Sequence, residues 1–166
     1  MQSQKDPSFR YEIHYPPLDE KLHNEITRFH YCLKEELDQF RLEVDQIIQS
    51  EICILLYDEL DKVCGICGYR KKLIAWSLFI VVTKEEQGKG LGNELCQILL
   101  QHTSPNRPLL LTVRNDNLKA RGMYKRLGFV TVGREKSSVI MLWTGNRWKY
   151  VKVFMRGLLH IKRIFI

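Results

Sequence analysis

The sequence has no apolar stretch long enough to cross a membrane as a helix, because charged residues interrupt every hydrophobic run before about 18 residues. Its opening residues, MQSQKDPSFRYEIHYPP, are polar and lack the apolar core of a signal peptide, so we expect none. Neither proline nor glycine occurs from Leu18 to Glu51, which favours helix there. With 166 residues, 45% hydrophobic and 27% charged, the chain has the composition of an ordinary soluble globular domain.

The five cysteines show no pattern typical of a disulfide framework. Cys64 and Cys67 form a C-x-x-C in KVCGICGYR, which we interpret as a strand. Side chains alternate along a strand, so these two thiols are predicted to face opposite sides. A second pair and a flanking histidine cluster are both missing from the sequence, so we expect no metal site. We therefore predict that the thiols are reduced and that the protein is cytoplasmic.

Acidic residues are absent after Gly145, whereas six basic residues lie there, so this segment holds most of the net charge of +7. We therefore predict a domain over residues 1–144 and a basic amphipathic extension over 145–166. Basic residues recur at helical spacing in the extension, which leaves three interpretations open. Its apolar side packs on the domain, packs on a second copy in a homodimer, or makes a peripheral membrane contact through residues 147–166. Nucleic-acid binding is disfavoured.

Hydrophobic periodicity divides the rest of the chain into helices and strands. Residues 18–51 carry a helical stripe that is too long for one helix in so small a domain, so two helices or a kink near residues 36–39 are predicted. Further helices are predicted for residues 90–102 and for NLKARGMYKRLGF, and Gly128 ends the latter. The predicted strands are FRYEIHY, EICILLYDE, KVCGICGYRKK, LIAWSLFIVV, RPLLLTVRN, FVTVGREK and SSVIMLW. This order predicts a single mixed α/β domain, with a mostly antiparallel sheet of about seven strands flanked by about four helices.

The segment VTKEEQGKGLGNELC places three glycines between a predicted strand and a predicted helix. Each glycine inside a helix costs about 1 kcal/mol relative to alanine. The first N–H groups of a helix lack intrahelical partners and carry the positive end of the helix dipole, so bare backbone there suits a phosphate group. Lys89 adds a positive charge. A flexible turn is the alternative, and the spacing fits neither a Walker loop nor a dinucleotide fingerprint.

Two motifs in the chain resemble those of the GNAT acyltransferases. Residues 87–92 match motif A, [QR]-x-x-G-x-[GA], completely. Downstream, NDNLKARGMYKRLGF matches motif B, N-x-x-A-x-x-x-Y-x-x-x-G-F, at Asn117, Ala120, Tyr124, Gly128 and Phe129. The predicted strand order is also that of the family, and the resemblance covers about residues 9–144.

The resemblance implies an N-acetyltransferase that uses acetyl-CoA, without a metal, in a split between the fourth and fifth strands. Tyr124 would be the acid that protonates the departing thiolate, although a core tyrosine on an amphipathic helix is the alternative. The amine would attack directly in a ternary complex, and a backbone N–H near Val82 would polarise the carbonyl. The residues implied to bind acetyl-CoA are Ile80, Val81, Val82, Gln87, Gly88, Lys89, Gly90, Leu91, Gly92, Asn93 and Asn117.

The sequence departs from the family pattern at the general base, and it leaves the acceptor open. Ribosomal-protein N-terminal acetyltransferases of this family carry a glutamate where this chain has Thr112, which cannot act as a base. The options left open for the base are Glu51, Asp58, Glu59, Asp61, His14, His23 and His30. A small amine, a peptide N-terminus, a lysine and an amino sugar all remain open as acceptors. Two competing functions remain. One is an acyl-CoA sensor or scaffold without turnover, and the other is a membrane-surface or nucleic-acid-associated protein directed by the basic tail.

Overall fold

The structure is a computed structural model that describes residues 9–33, 44–72 and 75–145. It contains seven strands: β1 (Arg10–His14), β2 (Ile52–Tyr57), β3 (Val63–Lys71), β4 (Trp76–Val82), β5 (Leu109–Arg114), β6 (Val130–Arg134) and β7 (Ser138–Trp143). The described helices are α1 (Glu20–Cys32), α2 (Val44–Ile48), α3 (Leu91–Gln101) and α4 (Leu118–Arg126), with a 3₁₀ turn at Lys84–Glu86. The predicted kink near residues 36–39 and the tail from residue 146 lie outside the described residues.

The strands form one sheet in the order β1-β2-β3-β4-β5-β7-β6. The pairs β1–β2, β2–β3, β5–β7 and β6–β7 are antiparallel, and β4–β5 is parallel. The predicted mixed, mostly antiparallel α/β fold is therefore confirmed. Several strand boundaries differ from the prediction by a few residues; β4, for example, was predicted from Leu73 and begins at Trp76. The Lys72 N–H donates to the Ala75 carbonyl at 2.8 Å.

The chain groups into two compact units. Among the described residues, the first comprises 9–33, 44–71 and 78–102, and the second comprises 72, 75–77 and 103–145. In the first unit, the apolar side of α1 covers one face of the β2–β3 hairpin, with Ile26 fully buried against it. The Asp19 carboxylate begins α1 by accepting the Leu22 N–H at 2.8 Å. The predicted domain boundary at residue 144 stays a prediction.

All five cysteines are free thiols, and only Cys32 is exposed. Burial raises the pKa of Cys53 and of Cys96 to about 12. For Cys64, burial and then the nearby Asp58 and Glu86 carboxylates raise the pKa to about 11. No helix among the described residues has the length and apolarity needed to cross a membrane.

We predict that iodoacetamide at pH 8 alkylates Cys32 rapidly in the native protein and the other four cysteines at least about 10²-fold more slowly. The thiolate is the reactive form, and each unit of raised pKa lowers its population about tenfold. Intact mass over time gives the number of alkylated thiols, and peptide mapping assigns them. All five should react in denaturant, whereas rapid native labelling of a second cysteine would contradict the burial described here.

Candidate active site

The glycine turn of the first unit connects the 3₁₀ turn to α3. Gly88 has φ +89° and Gly90, the residue before α3, has φ +88°, so both adopt the left-handed conformation that favours glycine. A Cβ atom at Gly92 would meet no atom of the described residues within 4 Å, and the φ of Gly92 lies outside the left-handed range. Neither the described packing nor backbone strain therefore explains why residue 92 is a glycine. A ligand lying against the start of α3 would explain it.

The helix start carries backbone donors of the kind a phosphate needs. The Asn93 and Glu94 N–H groups both donate to the Gly90 carbonyl, at 2.9 and 3.2 Å. Leu91 and Gly92 occupy the first two helical positions, where an N–H has no intrahelical acceptor. The dipole of α3 adds partial positive charge at this end. Among the backbone amides predicted to bind the diphosphate of acetyl-CoA, those of Leu91 and Gly92 are therefore the best placed to do so by helix geometry.

Gln87, the first residue of the motif, acts inside the turn. Its side-chain Nε2 donates to the Val82 carbonyl at 3.0 Å, which ties the turn to the end of β4. Its own N–H donates to the Lys84 carbonyl at 3.2 Å. The structure thus gives Gln87 an architectural role, and its predicted phosphate contact remains a prediction.

Lys89 lies between two partners in the first unit. Its Nζ is 2.7 Å from Glu86 Oε2 and 5.5 Å from the centroid of the Phe9 ring. The Glu86 side chain is only 17% exposed, so it is largely withdrawn from solvent. Sequence reasoning missed the Lys89–Glu86 pair because it read these residues as an irregular turn.

The end of β4 holds the residues predicted to bind the pantetheine arm. Ile80, Val81 and Val82 are half-buried, and Val81 packs against the apolar cluster beneath α1. Just after the strand, the Thr83 N–H donates to the Cys64 carbonyl at 2.9 Å. The glycine turn and the end of β4 therefore belong to one continuous piece of the first unit.

At the other end of β4, described parallel pairing with β5 consists of Trp76 with Leu109 and Ser77 with Leu110, all within the second unit. By contrast, β5 pairs with β7 along its whole length. The predicted split between the two strands stays a prediction.

The second unit holds motif B at the start and along the length of α4. The Asn117 side chain accepts the Ala120 N–H at 3.0 Å, so it caps the helix. Gly128 has φ +90°, and the Phe129 N–H donates to the Tyr124 carbonyl at 3.0 Å. Tyr124 is 8% exposed, and its ring meets Phe129 edge-on at a centroid distance of 5.5 Å. These contacts hold the ring of Tyr124 against Phe129.

Several candidate bases have roles in the architecture of the first unit. Asp58 Oδ1 accepts the Leu60 and Lys62 N–H groups, both at 2.9 Å, and closes the β2–β3 turn. Asp61 pairs with Arg10 at 2.8 Å. His14 Nε2 lies 3.3 Å from Glu12 Oε2 without forming a hydrogen bond. The remaining candidates are Glu51 and His30, which are partly buried, and Glu59 and His23, which are exposed.

One polar cluster of the first unit was missed by the sequence analysis. The buried Tyr57 hydroxyl donates to Glu25 Oε2 at 2.9 Å and lies 3.4 Å from Glu12 Oε2. Burial, followed by the Glu25 carboxylate, raises the pKa of Tyr57 well above its usual value. Arg10 lies over the same ring, 4.2 Å from its centroid. These residues are far apart in sequence and carry no motif, so no sequence signal pointed to them.

A mixed seven-stranded sheet, a glycine turn at a helix start and a tyrosine-bearing helix together define a candidate phosphate-binding α/β protein. A family model described as "Acetyltransferase (GNAT) domain" matches residues 18–148. The chain therefore belongs to the GNAT acetyltransferase family. A search of curated proteins gave no match.

Solved structures share the fold at low sequence identity. An acyl-CoA N-acyltransferase from Pseudomonas aeruginosa is 13% identical, with a TM-score of 0.66 over 82% of this chain and 99% of that one. Spermidine N-acetyltransferase from Vibrio cholerae, a dodecamer, is 16% identical, with a TM-score of 0.61 over 85% and 96%. Ribosomal-protein-S5-alanine acetyltransferase from Vibrio fischeri is 14% identical, with a TM-score of 0.60 over 87% and 97%. At these identities the similarity establishes the fold.

Proposed function

We propose that the protein transfers an acetyl group from acetyl-CoA to a primary amine by direct attack in a ternary complex. The observation that carries this proposal is the open glycine turn, where Gly92 has no Cβ although the described packing leaves room for one. A diphosphate lying on the Leu91 and Gly92 amides would occupy that room. Family membership supplies the chemistry, since acetyl-CoA brings a thioester that an amine can attack.

The chain's own residues would carry three tasks. The glycine turn and the backbone of Ile80–Val82 would hold and orient acetyl-CoA, and orientation supplies much of the acceleration in such reactions. A backbone N–H near Val82 would stabilise the negative charge on the carbonyl oxygen. The Tyr124 hydroxyl would give its proton to the sulfur as the C–S bond breaks, while the attacking amine loses its proton to a base or to water.

One observation supports a second candidate function, an acyl-CoA sensor or scaffold without turnover. Thr112 takes the place of the strand glutamate and is exposed on β5, so the described part of β5 supplies no base at that position. Release of coenzyme A, followed with a thiol reagent in the presence of different amines, separates the two functions. Amine-dependent release supports the enzyme, whereas acetyl-CoA binding without release for any acceptor class supports the sensor.

The acceptor, the oligomeric state and the cellular location are also proposals. A small-molecule or peptide amine is the proposed acceptor, and the solved spermidine and ribosomal-protein acetyltransferases offer one model for each. A homodimer and a peripheral membrane contact are both proposed for the basic tail. Removing residues after Gly145 should change sedimentation or vesicle binding while acetyl-CoA still binds; unchanged behaviour in both assays would leave the tail without either role.

A further inference from the structure

The side chain of Gln87 joins the glycine turn to the end of β4. Its Nε2 atom donates to the Val82 carbonyl oxygen at 3.0 Å, a distance typical of a good hydrogen bond. The 3₁₀ turn lies between these two residues, so the bond closes a small loop of chain. Residues 87–90 are exposed, so burial of apolar surface contributes little to holding this stretch in place.

The hydrogen bond also reaches a particular edge of β4. Just after β4, the Thr83 N–H donates to the Cys64 carbonyl of β3 at 2.9 Å. Successive residues of a strand direct their backbone N–H and C=O groups to alternate edges, so those of Val82 are directed away from β3. The Gln87 amide therefore meets the same edge of β4 that carries the Val82 N–H, where the carbonyl of acetyl-CoA is proposed to lie.

This arrangement links the two parts of the chain that would hold acetyl-CoA. The Leu91 and Gly92 amides would bind the diphosphate, and the end of β4 would bind the pantetheine arm and the thioester. Acetyl-CoA is one covalent chain, so it binds both parts well only when their separation matches its own length. A hydrogen bond from the turn to the strand holds that separation before the ligand arrives, which lowers the ordering cost of binding.

We propose that Gln87 is a positioning residue whose side chain fixes the glycine turn against the edge of β4 and so keeps the diphosphate and thioester positions in register. This inference rests on the proposed function. It gives the first residue of the motif a task that needs no contact between its side chain and the ligand. The turn has backbone bonds that do not depend on this side chain, from the Gln87 N–H to Lys84 at 3.2 Å and from the Glu86 N–H to Thr83 at 3.1 Å. Loss of the side chain should therefore uncouple the two parts and leave each of them formed.

Calorimetric titration of Gln87→Met with acetyl-CoA tests the coupling, because methionine has a similar length and no N–H donor. We expect Kd to rise about three- to tenfold, the range set by the net contribution of one hydrogen bond. Gln101→Met is the matched control, since Gln101 is an exposed glutamine at the far end of α3, and it should change Kd less than about twofold. Thermal melting checks that both variants are folded.

Two fragments of the ligand separate positioning from direct contact. ADP carries the diphosphate without the pantetheine arm, and S-acetylpantetheine carries the thioester without the diphosphate, so neither fragment needs the two parts in register. Competition with acetyl-CoA gives the Kd of each fragment, and Gln87→Met should change both by less than about twofold. A loss of ADP affinity equal to that for acetyl-CoA would mean that Gln87 contacts the phosphates or orders the turn itself, and it would overturn the proposal.

The proposal would also be overturned by unchanged acetyl-CoA affinity in Gln87→Met, by an equal loss in Gln101→Met, or by a natural protein that binds acetyl-CoA but neither fragment. Failure of the proposed function has a different signature. A protein that binds acetyl-CoA without transferring its acetyl group would end the proposed function and leave the coupling measurable, whereas a protein that does not bind acetyl-CoA would end both.

Discussion

Tyr124→Phe is expected to lower kcat roughly 10²-fold while acetyl-CoA affinity changes little. The substitution removes one hydroxyl and keeps the ring, which is 8% exposed and packs edge-on against Phe129. We expect the loss to come from proton donation to the departing thiolate, since the ring contact with Phe129 is kept. Steady-state release of coenzyme A gives kcat, and calorimetry gives the affinity.

Tyr69→Phe is the matched control, because Tyr69 is also buried, at 3% exposure, but lies in β3 outside both motifs. We expect its kcat to stay within about twofold of the natural protein, since its hydroxyl has no proposed part in proton transfer. Thermal melting of both variants checks that each is folded. If the two substitutions reduced kcat equally, or if Tyr124→Phe left it unchanged, Tyr124 would be a core residue only.

Gly90→Glu is expected to weaken acetyl-CoA binding by roughly 10²-fold or more, because it places a carboxylate beside the amides that would hold the diphosphate. Glutamate at φ +88° also strains the backbone, so this variant alone confounds binding with folding. Gly92→Glu avoids the strain, since its φ is ordinary and a Cβ there meets no atom within 4 Å. An acid in the first turn of α3 should preserve or raise stability through the helix dipole.

Gly92→Ala completes the comparison by adding the Cβ without the charge. It should raise the free energy of unfolding by up to about 1 kcal/mol through helix propensity. It should weaken acetyl-CoA binding slightly, and far less than Gly92→Glu, because the Cβ enters the room that the diphosphate would occupy without adding a charge. Calorimetry and thermal melting on the three variants separate stability from binding. A stable Gly92→Glu protein with undiminished affinity would remove the glycine turn from the binding site.

The features predicted correctly are those determined by local sequence. The strand–turn–helix pattern around residues 88–92 and the end of α4 before Gly128 follow from short-range backbone preferences, and the structure has both. The order of strands along the chain came from hydrophobic periodicity, which identifies strands without saying which of them pair in the sheet.

The features that were missed depend on side-chain geometry or on residues distant in sequence. The Glu86–Lys89 pair depends on the path of the backbone between the two residues, which charge patterning alone does not reveal. The hydrogen bond from Tyr57 to Glu25 joins β2 to α1, so it exists only once the sheet and helix have packed. The same limit explains why the general base stayed open, since its identity depends on the acceptor's position.

Isotope tracing tests the central claim most directly. The protein is incubated with acetyl-CoA carrying a ¹³C-labelled acetyl group and, separately, with a polyamine, a peptide with a free N-terminus, a peptide with an internal lysine and an amino sugar, and mass spectrometry follows the label. We predict a labelled N-acetyl product from at least one acceptor class, no labelled enzyme, and roughly 10²-fold less product with Tyr124→Phe. Acetyl-CoA that binds yet passes its label to none of these amines would contradict acetyl transfer.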